Sequence, residues 1–231
     1  MPHPTAAATL LARSEMMSLS PLPSRFGVVV PVKPPAYAKS RLAPLGHRTR
    51  QALCVAFAVD TVTAALGSPL VAAVLAVTDD HVLAGRLAEA GATVIPDGTT
   101  DDLNGSLSQA AAELRRRDPS LGVVGLCADL PALRAEELTR VLAAVPEDRM
   151  SFVEDADGVG TTAVIAPRDT EFRPRFGARS GLAHTDAGAW PVDLGDVPSV
   201  RRDVDTPADL AAALELGVGP ETWSVATGTR L

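Results

Sequence analysis

Apolar runs too continuous to be half-exposed alternate along this chain with stretches of helical period, and that alternation restricts the fold more than any other feature. FGVVVPV (26–32), PLVAAVLAVTD (69–79), ATVIPD (92–97) and LGVVGLCAD (121–129) are such runs. A strand with one wet face alternates apolar and polar residues, whereas a strand covered on both faces does not. Between the runs lie RTRQALCVAFAVDTVTAAL (48–66, before Gly67), HVLAGRLAEAG (81–91), DDLNGSLSQAAAELRRR (101–117) and RAEELTRVLAAV (134–145), all of helical period. Strand and helix in turn predict an α/β fold with a mainly parallel central sheet and helices on both faces. SFVED (151–155) and TTAVIAP (161–167) read as further strands, and TPADLAAALELG (206–217) as a helix. In that helix Thr206 suits the N-cap, Pro207 the first position, Asp209 the third and Gly217 the stop.

A chain of 231 residues suits one large domain, taken as residues 25–231, and no repeat or linker interrupts it. Residues 1–24, rich in Pro, Ser and Ala, read as a disordered lead. With 46% hydrophobic but only 3% aromatic residues, the core is expected to be built from small aliphatics. No apolar run approaches the roughly 20 residues a membrane span needs. AAATLLA (6–12) is too short, and lacks the basic start, for a signal peptide. Cys54 and Cys127 lie far apart in apolar settings with no metal-binding spacing, so they read as buried thiols of a cytoplasmic protein. A net charge of −7 argues against a general nucleic-acid binder.

The only two lysines, Lys33 and Lys39, fall with Arg41 in VPVKPPAYAKSRLAP (30–44), directly after the first strand. A doubly wound sheet presents a ligand loop there, and lysine and arginine together can neutralise a triphosphate. A solvated surface loop is the alternative. In DDLNGSL (101–107), Asn104 and Gly105 near a helix start suit either an anion or base contact or an ordinary cap. DADGVGTT (155–162) offers Gly158, Gly160, Thr161 and Thr162, as a ligand loop or a tight hairpin. RFGARSGLAH (175–184) places Gly177 and Ser180 among arginines, where a phosphate or carboxylate can be held; its lone His184 reads as structural or surface. Finally, Asp129 ends a strand-like run and Asp203 and Asp205 sit in RRDVDTPADL, also read as a strand. Residues at i and i+2 of a strand share a face, so the pair can share one ion, and hard carboxylates beside a basic loop suit Mg²⁺. Helix capping by Asp129 and Asp205 is the alternative.

In this order, VPVKPPAYAKSRL, DLNGSL, CADLPAL, DADGVGTT, FGARS…H and RRDVDTPADL resemble the guanylyltransferases of coenzyme F-420 biosynthesis, over about residues 26–222. The resemblance implies a Rossmann-like nucleotidyltransferase fold. It implies transfer of GMP from GTP to phosphoenolpyruvate or 2-phospho-L-lactate, with pyrophosphate released. It further implies Asp129, Asp203 and Asp205 as Mg²⁺ ligands, and Thr161 or Thr162, Gly177 and Ser180 as the segment holding the phosphorylated three-carbon acid. Lys33, Lys39 and Arg41 would be the triphosphate contacts and catalytic cations, Asn104 a nucleotide contact, and a downstream transferase of the pathway a partner. The basic loop departs from the GGxGxR pattern of many sugar nucleotidyltransferases, which argues against a sugar phosphate or molybdopterin acceptor. The Ala/Arg-rich composition leans toward phosphoenolpyruvate. A non-catalytic nucleotide-binding module on the same fold would bind GTP without releasing pyrophosphate.

Overall fold

The structure is a computed structural model that describes residues 25–36, 38–98 and 102–228. The segment expected to be a disordered lead, residues 1–24, lies outside the described residues. Seven strands form one sheet: β1 (Phe26–Pro31), β2 (Val71–Val77), β3 (Thr93–Ile95), β4 (Gly122–Leu126), β5 (Ser151–Glu154), β6 (Thr161–Ala166) and β7 (Trp190–Pro191). Their order is β3-β2-β1-β4-β6-β5-β7. β1 pairs in parallel with β2 and with β4, and β2 with β3, as the continuous apolar runs predict. β6 is antiparallel to β4 and to β5.

The helices are α1 (His47–Leu66), α2 (His81–Glu89), α3 (Leu103–Arg117), α4 (Ala135–Ala143), α5 (Ser180–Asp186), α6 (Pro198–Arg201), α7 (Pro207–Leu216) and α8 (Pro220–Thr227), with a short 3₁₀ helix at Ser40–Leu45. Alternate residues of β1 feed the two faces of the sheet. Val28 and Val30 pack with Val62, Leu83 and Leu138, while Val29 packs with Leu107, Leu114 and Phe152. α3 lies so close to β1 that a Cβ on Gly27 would meet a Leu114 methyl at 2.3 Å. A third apolar cluster joins Leu42, Leu53, Phe57, Ala132, Val204 and Leu210. It matters for function because it ties the 3₁₀ helix, α1 and α7 together below the acidic residues.

One sequence expectation changes and one open alternative resolves. Residues 202–205 are not a strand; they form the extended link between α6 and α7. The period-2 logic survives locally, because Val204 is fully buried and the flanking Asp203 and Asp205 are not. A buried Val contributes roughly 1.5–3 kcal/mol, enough to hold the orientation of such a short link. The glycines of DADGVGTT belong to a β5–β6 hairpin. The Asp155 carboxylate accepts from Val159 N at 2.9 Å and Gly160 N at 2.7 Å, which closes the turn. α5, α6, α8, β7 and the 3₁₀ helix went unread; at two to eight residues each, they carry too little periodicity to register.

Candidate active site

The C-terminal ends of β1 and β4 are neighbours at the point where the chain leaves β1 for β2 on one side and meets β4 on the other. Ligands of open α/β sheets bind at such a switch point. A cleft of about 480 Å³ opens here, walled by Val32, Lys33, Lys39 and Arg41 after β1 and by Asp129 and Asp205 opposite.

Asp129 stands three residues beyond β4, and Asp203 and Asp205 come from the α6–α7 link. One carboxylate oxygen from each lies within 4.8 Å of the others. The backbone holds them there, since Val204 N donates to the Asp129 carbonyl at 3.1 Å. Thr206 caps α7, and Asp209 completes the capping box. The Asp209 carboxylate accepts from Thr206 N at 2.8 Å and Asp205 N at 3.2 Å. Capping is therefore done by Thr206 and Asp209, and the Asp205 side chain is left to the cleft.

Burial and the charges of Asp129 and Asp205 push the Asp203 carboxyl up to about 7. Such crowding calls for a cation. Asp129 Oδ1 is buried without a hydrogen-bond partner. The Lys39 ammonium bonds both Asp129 and Asp205. Burial works against its charge, but the two carboxylates outweigh burial and raise its pKa. A lysine expected on a triphosphate thus rests on the acids. Arg41, largely exposed, has Nη1 3.6 Å from Asp205, and Lys33 is exposed at the cleft wall. An unpartnered carboxylate oxygen, three converging hard ligands and a resident ammonium together fit a divalent cation.

Comparison with known proteins now decides the family. A model described as guanylyl transferase CofC like matches residues 26–222. The chain belongs to this family. The phosphoenolpyruvate guanylyltransferase of Thermomonospora curvata is 47% identical, with 87% of this chain and 88% of the relative covered. That of Streptomyces avermitilis is 49% identical, over 86% and 93%. Among solved structures, a nucleotidyl transferase from Methanothermobacter matches with TM-score 0.55 at 17% identity, covering 83% of this chain and 97% of that one. A cytidylyltransferase from Leptospira borgpetersenii matches with TM-score 0.56 at 12% identity, over 88% and 92%. At those identities the likeness concerns the fold alone: a nucleotidyltransferase fold, as the sequence implied. This CofC-like protein is an enzyme of the guanylyltransferase kind.

The remaining candidates of this CofC-like chain do not line the cleft. Thr161 and Thr162 open β6, whose backbone carbonyl at Thr162 accepts from Cys127 N at 2.8 Å, two residues before Asp129. Thr162 is fully buried and its hydroxyl has no partner. Thr161 Oγ1 pairs with His184 Nδ1 at 3.0 Å. Gly177 has φ +145, with nothing within 4 Å of where a Cβ would sit, and Ser180 begins α5. Asn104 is not the cap of α3: Asp102 fills that role, accepting from Gly105 N at 2.9 Å. The Asn104 amide instead bonds the backbone of Phe176. His184 is structural, fully buried against Phe152 and Phe176.

Arg50 was not singled out by sequence reasoning. It is buried on α1, and its guanidinium donates to the carbonyls of Pro35 (3.3 Å), Ala36 (3.1 Å) and Ala38. It shapes the basic loop from beneath, using the fixed fork that lysine lacks. The signal available in sequence was its place shortly after the basic loop, at the start of the helix.

Proposed function

We propose that this protein transfers GMP from GTP to phosphoenolpyruvate, with Mg²⁺ as cofactor, in coenzyme F-420 biosynthesis. The observation that carries the metal part is the buried, unpartnered oxygen of Asp129 among three converging carboxylates. The names of the relatives in Thermomonospora and Streptomyces favour phosphoenolpyruvate as acceptor. A phosphate oxygen of the acid attacks the α-phosphorus of GTP; one P–O bond forms as the bond to the leaving pyrophosphate breaks. Two anions must meet, so catalysis rests on positioning and charge.

Asp129, Asp203 and Asp205 would hold Mg²⁺, which when bound offsets charge on phosphate oxygens. Lys33 and Arg41 face the cleft as triphosphate contacts, and Lys39 is in place to move from the acids to a phosphate. Thr162, with its free hydroxyl, Thr161, Gly177 and Ser180 would hold the acid. No general base is required, because the phosphate oxygen is already ionised near neutral pH. His184 is buried and has both ring nitrogens engaged, which agrees with a non-catalytic role. The phosphoric anhydride product is an activated group suited to a downstream transferase, and the reading places the reaction in the cytoplasm. No helix among the described residues is long and apolar enough to cross a membrane.

The test is mass spectrometry of the product from GTP and Mg²⁺ with phosphoenolpyruvate or 2-phospho-L-lactate offered separately, and with a sugar phosphate and molybdopterin as further arms. The two adducts differ by two hydrogens. We expect the phosphoenolpyruvate adduct with stoichiometric pyrophosphate. A product with 2-phospho-L-lactate alone moves the acceptor, a product with only a sugar phosphate or molybdopterin overturns the acceptor class, and GTP binding without pyrophosphate in every arm overturns catalysis.

A further inference from the structure

Two side chains from different elements grip adjacent residues of the loop that precedes α5, Asn104 at Phe176 and His184 at Arg175. On one side, the Asn104 amide makes a two-point contact with Phe176. Nδ2 donates to the Phe176 carbonyl at 2.9 Å, and Phe176 N donates to Oδ1 at 2.8 Å. On the other, Arg175 N donates to His184 Nε2 at 2.8 Å. A backbone N–H can only donate, so Nε2 is the bare nitrogen of the ring. The proton then sits on Nδ1, which faces Thr161 Oγ1 at 3.0 Å. The imidazole cannot tilt, because Phe152 stacks on it at 5.5 Å and the Phe176 ring meets it edge-on at 5.6 Å.

Immediately after this grip, the chain becomes open at Gly177, whose left-handed φ of +145 only glycine adopts comfortably. Arg179 is also left-handed, at φ 55. The loop is thus pinned at Arg175 and Phe176, exposed over residues 177–179, and buried again at Ser180. Leu103, the neighbour of Asn104, lines the cleft that holds the basic loop and the acids. One helix start therefore touches both the cleft and the loop.

We propose that Asn104 and His184 are positioning residues that clamp Arg175–Phe176 and so set the placement of Gly177–Ser180 against the acceptor acid, with Asn104 acting on the acceptor rather than touching the nucleotide. The inference rests on the reading above that Gly177 and Ser180 hold the acid. Displacing a binding group by about 1 Å costs up to ~100-fold in turnover. Loss of the clamp has its effect on the acceptor because the triphosphate contacts come from the other wall.

The experiment is steady-state kinetics with KM determined separately for GTP and for phosphoenolpyruvate, on Asn104→Ala, Asn104→Asp, His184→Gln and Ser180→Ala, with cooperative thermal unfolding as the check on folding. Asn104→Ala is expected to raise the acceptor KM about tenfold or more, with the GTP KM changed less than about twofold, by the same positional argument. Asn104→Asp retains the acceptor for Phe176 N and is expected to recover part of the loss. His184→Gln, which can still accept from Arg175 N, is expected to fall between the wild type and Asn104→Ala, and it serves as the readout if Asn104→Ala does not fold. A rise in the GTP KM instead, or no change in either KM, while Ser180→Ala does raise the acceptor KM, overturns the clamp but leaves the acceptor segment standing. An unchanged acceptor KM in Ser180→Ala overturns the acceptor segment, and the clamp's role with it.

Discussion

Asp203 illustrates a residue that is costly to the fold and that the proposed metal site would use. Its carboxyl is raised to about 7 by burial and by Asp129 and Asp205. Such a shift means that the charged form is disfavoured where it stands. Asn fills the same volume without the charge. We expect Asp203→Asn to lose at least about a thousandfold in pyrophosphate release, since a metal ligand set acts through charge the amide cannot supply. Without divalent cations at pH 8, the same variant is expected to unfold at higher urea than the wild type, by on the order of 1–2 kcal/mol after allowing for its partial exposure. A variant that is both active and fully Mg²⁺-dependent would remove Asp203 from the ligand set. That these three acids could come together was legible from their types and from the i, i+2 spacing, and their carboxylates do converge. That Lys39 rests on two of them was not, because it depends on 3₁₀ geometry and a left-handed Lys39 at φ 54 that no local pattern announces.

At the scale of elements, the long runs behaved as their periodicity required. α7 begins at Pro207 behind Thr206 with its capping box, as the local residues demand. α8 follows a different rule. Its N-terminus is capped from a distance by Asp60 of α1, which accepts from Glu221 N at 3.2 Å and Thr222 N at 2.8 Å. The fit is close, since a Cβ on Gly219 would meet Asp60 Cγ at 2.3 Å. Asp60→Ala is expected to cost about 1–3 kcal/mol in urea unfolding, because two helix-terminal N–H groups lose their acceptor. Amide exchange should accelerate first in residues 220–227. Uniform loss of protection across the sheet instead would show that α8 is not a separate local unit. An eight-residue helix held by a side chain 161 positions away in sequence cannot be read from its own letters.

For the whole molecule, the buried histidine sets one limit on acid stability. His184 is held neutral down to about 4, from an ordinary 6.5, chiefly by burial, with the Arg175 charge adding to it. The folded value lies below the unfolded one, so the unfolded chain takes up the proton first. The contribution is therefore complete above about pH 6.5 and is lost as pH falls toward 4. Between those limits we expect the wild type to lose up to about 3 kcal/mol relative to His184→Gln in urea unfolding; parallel curves would exclude the histidine as the cause. The sequence by itself determined the layered α/β architecture, because strands covered on both faces must be continuously apolar and the helices between them must bury one side. It also determined the chemistry on offer, three carboxylates, two lysines and an arginine in short motifs between the long elements. The tertiary structure alone decided which of these groups meet. Strand order brings β1 beside β4, Val204 anchors a link that is not a strand, and Arg50, Asn104 and His184 shape loops outside their own helices. Those outcomes depend on side chains filling space between elements, and contact across that distance leaves no period in the chain.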